Sequence, residues 1–283
     1  MSAYPKVFPA PAANALRDLG VELQRRHVTC YLPGRRAYYG TYQQQRVVVT
    51  VRLLLRPDAV ASHNIEQTLY HAAAGGDCPL PLPTAIYLDE YVTVAAAFSQ
   101  PTPSDSVSEA ALVDLLDRLN WLHTWTPPPP HDQPLPEPPI ASTLSRYHQC
   151  GLLRQSTAAA IHAVVGVKPR RRLELGDGPL DRCQFNPTAL SALFGPFDAG
   201  WRLAGYDWAE LHLRFADTHP WLAKELIERS ERANLSVTYA ASLVLAACRQ
   251  LCRGGIDPQR EQRLRGQLEA AQRRLYLLYE ASL

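Results

Sequence analysis

The strongest constraint on the fold is a change of hydrophobic period about a third of the way along the chain. Before it, apolar residues cluster in short Val-, Tyr- and Leu-rich runs that read as strands: His27 to Leu32, Ala37 to Gln43 and Arg46 to Leu55, with Pro33-Gly34 turning the first into the second. One helix interrupts them, with Ile65, Leu69 and Ala72-Ala73 on a face that Gly75-Gly76 can close, and Tyr91 to Phe98 is a further strand after the proline-punctuated Cys78 to Pro83. A short helix over Ala12 to Arg26 opens the chain, on the spacing of Leu16, Leu19 and Leu23. The Pro- and Ser-rich segment Ser99 to Ser106 ends this part. Beyond it, Ser106 and Glu109 stand at capping-box spacing ahead of Leu112, Leu115, Leu116, Leu119 and Leu122. Helical periodicity then continues over Ala141 to Gln149, Leu152 to Val165, Trp221 to Cys252 and Pro258 to Ala281. The expected division is residues 1–99, a small sheet with one helix, and 100–283, a mainly helical part. Between the helices, Thr126 to Pro139 holds eight prolines, which make it an extended connector or a polyproline ligand for a partner module.

Composition narrows the partners. With 283 residues, 46% of them hydrophobic, the chain can bury a sizeable core, and 29 basic against 27 acidic side chains leave no charge excess to draw nucleic acid or an anionic membrane. The N-terminus carries prolines in place of a signal-peptide core, and no apolar run approaches membrane-spanning length, so a cytoplasmic protein is expected. Six cysteines, Cys30, Cys78, Cys150, Cys183, Cys248 and Cys252, show no CxxC pairing and are expected as free thiols. Cys248 and Cys252 stand one helical turn apart, which suits either buried helix positions or a shared metal.

Phosphoryl transfer asks little covalent chemistry of a protein: a carboxylate to take the nucleophile's proton, and oxygen ligands for magnesium against the phosphates. Leu180-Asp181-Arg182-Cys183-Gln184-Phe185-Asn186 places an Asp and an Asn five apart, the spacing of a kinase-type catalytic loop. Downstream lies Phe197-Asp198-Ala199-Gly200-Trp201-Arg202-Leu203-Ala204-Gly205-Tyr206-Asp207-Trp208-Ala209-Glu210. Together with Leu119-Asn120-Trp121-Leu122-His123 and Leu80-Pro81-Leu82-Pro83, this run resembles the aminoglycoside phosphotransferase and choline kinase superfamily, in matching order over most of the chain.

That resemblance implies a two-lobed α+β protein-kinase-like fold with a five-stranded antiparallel N-terminal lobe, and an ATP- and Mg2+-dependent transfer to a hydroxyl of a small molecule. It implies Asp181 as the catalytic carboxylate. Asn186 and Asp207 become the magnesium ligands, Asp207 following a hairpin turn at Asp198 to Gly200 and a strand over Trp201 to Tyr206. Arg52, in Val49-Thr50-Val51-Arg52, stands where the family has its phosphate-binding Lys, with Glu66 as its ion-pair partner.

The sequence also departs from the pattern. Pro179-Leu180-Asp181 stands for the family's His-Gly-Asp, a Gly176-Asp177 pair lies four residues earlier, and Arg35, Arg36, Tyr38 and Tyr39 crowd the Gly34 to Gly40 phosphate loop. An Arg is not a Lys: its planar fork binds oxyanions bidentately and does not act as a point charge. These departures define the alternatives, a pseudokinase that binds a protein partner without catalysis, or a kinase-like architecture holding another ligand. Taken without the resemblance, Asp207 is a capping residue, Asp181 and Asn186 are turn residues, Arg52 lies on a polar strand face and Glu66 on a solvated helix face. His123 reads as a packed histidine, and Lys168-Pro169-Arg170-Arg171-Arg172 as a solvated turn or an anion-attracting cluster.

Overall fold

The computed structural model describes residues 8–28, 35–53, 57–97, 102–125, 140–166, 170–176, 183–193, 199–253 and 256–281. The chain divides into two compact units: residues 1–136 with 175–200, and 137–174 with 201–283. The first unit therefore includes a long helix and a hairpin that the sequence reading grouped with the helical part.

The first unit is built on a five-stranded antiparallel sheet of order β1-β2-β3-β5-β4. Its strands are β1 (Glu22–Val28), β2 (Arg35–Tyr42), β3 (Gln45–Arg52), β4 (Ala85–Leu88) and β5 (Val92–Ala96). The opening helix α1 (Ala10–Asp18) is shorter than its leucine spacing suggests, because Gly20 takes φ +70° and the Val21 N–H returns to the Leu16 carbonyl (3.0 Å). That Schellman-type closure turns Leu23 into a strand residue. Between β2 and β3 the turn falls on Gln43 and Gln44, both at positive φ, a two-residue hairpin without the usual glycine. Alternation along β3 sends Val47, Val49 and Val51 into a core with Phe8, Ala12, Leu16, Val21, Tyr38, Val92 and Val94. The opposite face carries Thr50 and Arg52 and faces α2 (Pro57–Gly75), which Gly76 closes at φ +82°. Gly40 is demanded by packing: a Cβ there would sit 2.8 Å from the Glu22 carbonyl of β1.

Two further elements complete this unit. Helix α3 (Glu109–Thr124) is capped by Ser108, whose Oγ accepts from Ala111 N (3.2 Å); Ser106 belongs to a preceding 3-10 turn, two residues before the true cap. The hairpin β7 (Cys183–Phe185) and β8 (Leu190–Leu193) docks on α3 through Leu190 N donating to the Asp114 carboxylate (2.9 Å).

The second unit is mainly helical: α4 (Ile140–Gln149), α5 (Gln155–Gly166), α6 (Tyr206–Phe215), α7 (Pro220–Arg232), α8 (Ser236–Arg253) and α9 (Pro258–Glu280). Its strands β6 (Arg171–Glu174) and β9 (Gly200–Leu203) pair with each other. The helical stretch from Trp221 to Cys252 is two helices, broken at Asn234, which takes φ +53°. Among the described residues no helix is long and apolar enough to cross a membrane.

Candidate functional site

The chemistry-bearing cluster of the first unit sits at the ends of β2 and β3. Hairpin register places Arg35 directly opposite Arg52, so both guanidinium groups leave the same face of the sheet. Both residues are buried, 2% exposed each, which is rare for arginine and requires partners. Glu66, one of the expected site residues, rises from α2 with no exposure and pairs with Arg35. The expected Arg52–Glu66 pair is replaced by two pairs, because Arg35 lies across the hairpin from Arg52 and takes the carboxylate.

Arg52 is instead held by the turn between β4 and β5. Its Nη2 meets Glu90 Oε1 at 2.8 Å, its guanidinium lies 4.8 Å from the Tyr91 ring centre, and its backbone N–H donates to the Tyr91 carbonyl (2.8 Å). Asp89 shapes that turn by accepting from Tyr91 N and Val92 N, both at 2.7 Å. The Glu90 side chain is 65% exposed, so Arg52 shares its charge with a carboxylate that solvent can reclaim, and its Nε has no hydrogen-bond partner. His63, fully buried on α2, meets the Asp89 carbonyl at 2.8 Å. Burial first, and then the charges of Arg35 and Arg52, hold its pKa down to about 4, so the ring is neutral. Two guanidinium groups thus leave one face at the ends of β2 and β3, one paired with the buried carboxylate of Glu66 and the other with the exposed carboxylate of Glu90.

The other expected residues are distributed as follows. Asp181 lies outside the described residues, as does Gly34 of the expected phosphate loop. Asn186 is exposed in the β7–β8 turn, where its Oδ1 accepts from Thr188 N (2.9 Å), Thr188 Oγ1 (3.2 Å) and Ala189 N (2.8 Å). Three donors on one amide oxygen are a turn-forming arrangement.

In the second unit, Asp207 is not at a strand end: β9 stops at Leu203, and Asp207 occupies the first turn of α6 with no solvent exposure. Its backbone N–H donates to Glu174 Oε2 (2.8 Å), and Gly205 N donates to Glu174 Oε1 (2.9 Å). Glu174, fully buried at the end of β6, is thereby a carboxylate cap for α6 supplied from another element. The carboxylates of Glu174 and Asp207 approach within 4.8 Å. The sequence signal for Glu174 was a lone acid after Arg171-Arg172-Leu173, too common to single out. Asn186, with its oxygen committed to three donors of its own turn, does not fit a magnesium ion as it stands, whereas the carboxylate of Asp207, beside that of Glu174, has the chemistry to hold a metal ion.

Arg170 donates to the Ala233 carbonyl at the end of α7 (3.0 Å) and Arg172 stacks on Trp208, so these two members of the basic cluster serve packing and capping. Cys183 and His123 are buried. Cys248 is buried, with its thiol pushed up to about 12 by desolvation, as a core helix residue.

The architecture has close counterparts. Solved structures superpose over nearly the whole chain: the ADP-bound aminoglycoside phosphotransferase APH(2'')-Ib has TM-score 0.53 at 14% identity and covers 96% of this chain and 99% of its own. A thermostable mutant of aminoglycoside phosphotransferase APH(4)-Ia, in ternary complex with ADP and hygromycin B, gives 0.55 at 12% identity over 94% and 99%. Macrolide 2'-phosphotransferase type I gives 0.53 at 14% identity over 97% and 99%. The fold is the kinase-like fold of these phosphotransferases. At this identity the likeness is one of fold alone; no protein-family model matches the sequence and no curated protein matches it.

Proposed function

We propose that the protein binds a nucleoside triphosphate and transfers its terminal phosphoryl group to a hydroxyl of a small molecule. The observation that carries this reading is the Arg35–Arg52 pair at the strand ends, where Arg35 is held by the buried Glu66 and Arg52 by the exposed Glu90, on a fold shared with small-molecule phosphotransferases. Arg52 is the phosphate-binding member. Its ion-pair partner Glu90 is exposed and exchangeable, so a phosphate oxygen can take the place of the carboxylate and accept two N–H groups from the fork. Arg35, locked to Glu66 inside the sheet, fixes the face on which Arg52 stands. Asp181 is assigned the acceptor hydroxyl: as the acceptor oxygen bonds to the terminal phosphorus and the bond to the leaving diphosphate oxygen breaks, its carboxylate takes the hydroxyl proton.

Calorimetric titration with ATP, with and without magnesium, tests the reading on the wild-type protein and on Arg52→Met. Binding to the wild type that falls at least tenfold in the variant supports it. Wild-type protein that does not bind ATP overturns it.

A second reading, a nucleotide-binding module that transfers no phosphoryl group, is favoured by Asn186, whose amide oxygen is committed to three donors of its own turn. It predicts ATP binding without ADP production across an acceptor panel.

A further inference from the structure

Helix α9 buries one stripe of its surface, Leu264, Leu268, Ala271 and Leu275, in a helix that packs on α8 and α5. The opposite side is exposed, and toward its C-terminal end it turns apolar. Tyr276 and Leu277 are 45% and 68% exposed, two of the three large apolar side chains that face solvent among the described residues; the third, Val113, lies on α3. A lone exposed leucine needs no explanation, but here two adjacent apolar side chains stand on one face between opposite charges. Arg273 and Glu280 supply those charges, both on exposed positions.

The spacing makes this patch complementary to itself. Arg273 stands three residues before Tyr276 and Glu280 three residues after Leu277, so the four positions share a face at i, i+3, i+4 and i+7. A second copy of α9 laid antiparallel, with the two-fold axis between positions 276 and 277, sets each Arg273 against the Glu280 of the other copy. Tyr276 then lies against Leu277 of the other copy, and the apolar centre is closed between two ion pairs. A parallel pairing in register would set like charge against like. The helix end asks for the same cation. The last turn of α9 has no basic residue and finishes on Glu280, an acid at the negative end of the helix dipole, which Arg273 of a second copy would offset. Within one chain Arg273 pairs with Glu269 (3.0 Å) at 67% and 55% side-chain exposure, a surface pair that exchanges readily.

We propose that the protein self-associates as a symmetric dimer through the C-terminal turns of α9, with Tyr276 and Leu277 at the centre and an Arg273–Glu280 pair on each side. Two helical turns cover less than the roughly 800 Å² per partner of a standard interface, so the dimer is a weak one, with a dissociation constant between about 1 µM and 1 mM. The ion pairs set its register and orientation, and the apolar centre holds it.

Sedimentation equilibrium of the full chain from about 1 µM to about 1 mM spans that range. The weight-average mass should climb from 31.5 kDa toward twice that value. Leu277→Arg, at a side chain that mostly meets solvent, should keep the protein monomeric through the series. Arg273→Glu and Glu280→Arg should each weaken association by about tenfold at low ionic strength, and the double charge reversal should restore it to within about threefold of the wild type. A monomer at every concentration leaves this face to a different partner and overturns the proposal. A dimer that Leu277→Arg leaves intact overturns it too, as do single reversals that the double reversal does not rescue.

Discussion

Replacing Glu66 by Gln removes the buried carboxylate that pairs with Arg35 and keeps the side-chain volume. Arg35 and Glu66 have side-chain exposures of 0% and 1%, so neither water nor counterion can take over the lost charge. Breaking a buried pair by one partner costs about 3–5 kcal/mol, whereas Arg52–Glu90, with Glu90 65% exposed, belongs to the surface class worth about 0–1 kcal/mol. A loss near 3 kcal/mol corresponds to roughly a hundredfold faster amide exchange wherever exchange requires opening of this sheet. Hydrogen–deuterium exchange on β2 and β3 is the suitable assay, because a chain of two compact units need not unfold in one step and a global midpoint would average them. The decisive form is a pair of double-mutant cycles. Glu66→Gln with Arg35→Met should show a coupling of about 2 kcal/mol or more, and Glu66→Gln with Arg52→Met a coupling below about 0.5 kcal/mol. The opposite ranking would mean that Arg52 is the partner of Glu66, and the pairing argued from hairpin register would be refuted.

Acid should destabilise both units through buried neutral histidines. His63 and His212 are each held near 4 by burial, below an ordinary value of about 6.5, so the unfolded chain takes up protons that the native state refuses as pH falls. Stability from these groups is complete above pH about 6.5 and is lost as pH falls to about 4, by up to about 3 kcal/mol for His63 and less for the partly exposed His212; urea melts that stay level across this window would contradict the assignment. Gly205→Ala should cost about 2–3 kcal/mol, because φ is +97° and the new Cβ would lie 3.2 Å from Tyr239 Cα, whereas Gly20→Ala, at φ +70° in open space, should cost about 1 kcal/mol. Equal losses in thermal melts of the two variants would remove the packing component.

The sheet and most of the helices were legible because alternation in β3 and leucine spacing in α3 report burial directly. Boundaries failed where one residue overrides periodicity, as Gly20 does at the end of α1 and Asn234 does between α7 and α8. The Arg35–Glu66 pair was hidden for a different reason. Arg35 and Arg52 are equidistant from the Gln43-Gln44 turn, so knowledge of that turn would have paired them, but a turn of two glutamines carries none of the usual glycine or asparagine signal. Asp207 was placed after a strand over Trp201 to Tyr206 because the resemblance to the phosphotransferase family implies one there. The competing fact, that a carboxylate more than thirty residues upstream caps a helix beginning at Tyr206, is a tertiary contact with no local trace.

That cap also orders events in time. Helix α6 has no side-chain cap at its own first residue and begins at a glycine in the left-handed region, so its leading N–H groups depend on Glu174. During synthesis β6 leaves the ribosome before α6, and the acceptor is already in place when its donors arrive. A circular permutant that opens the chain between β6 and β9 would reverse that sequence, making the second unit wait for its last-made strand before its central helix could start.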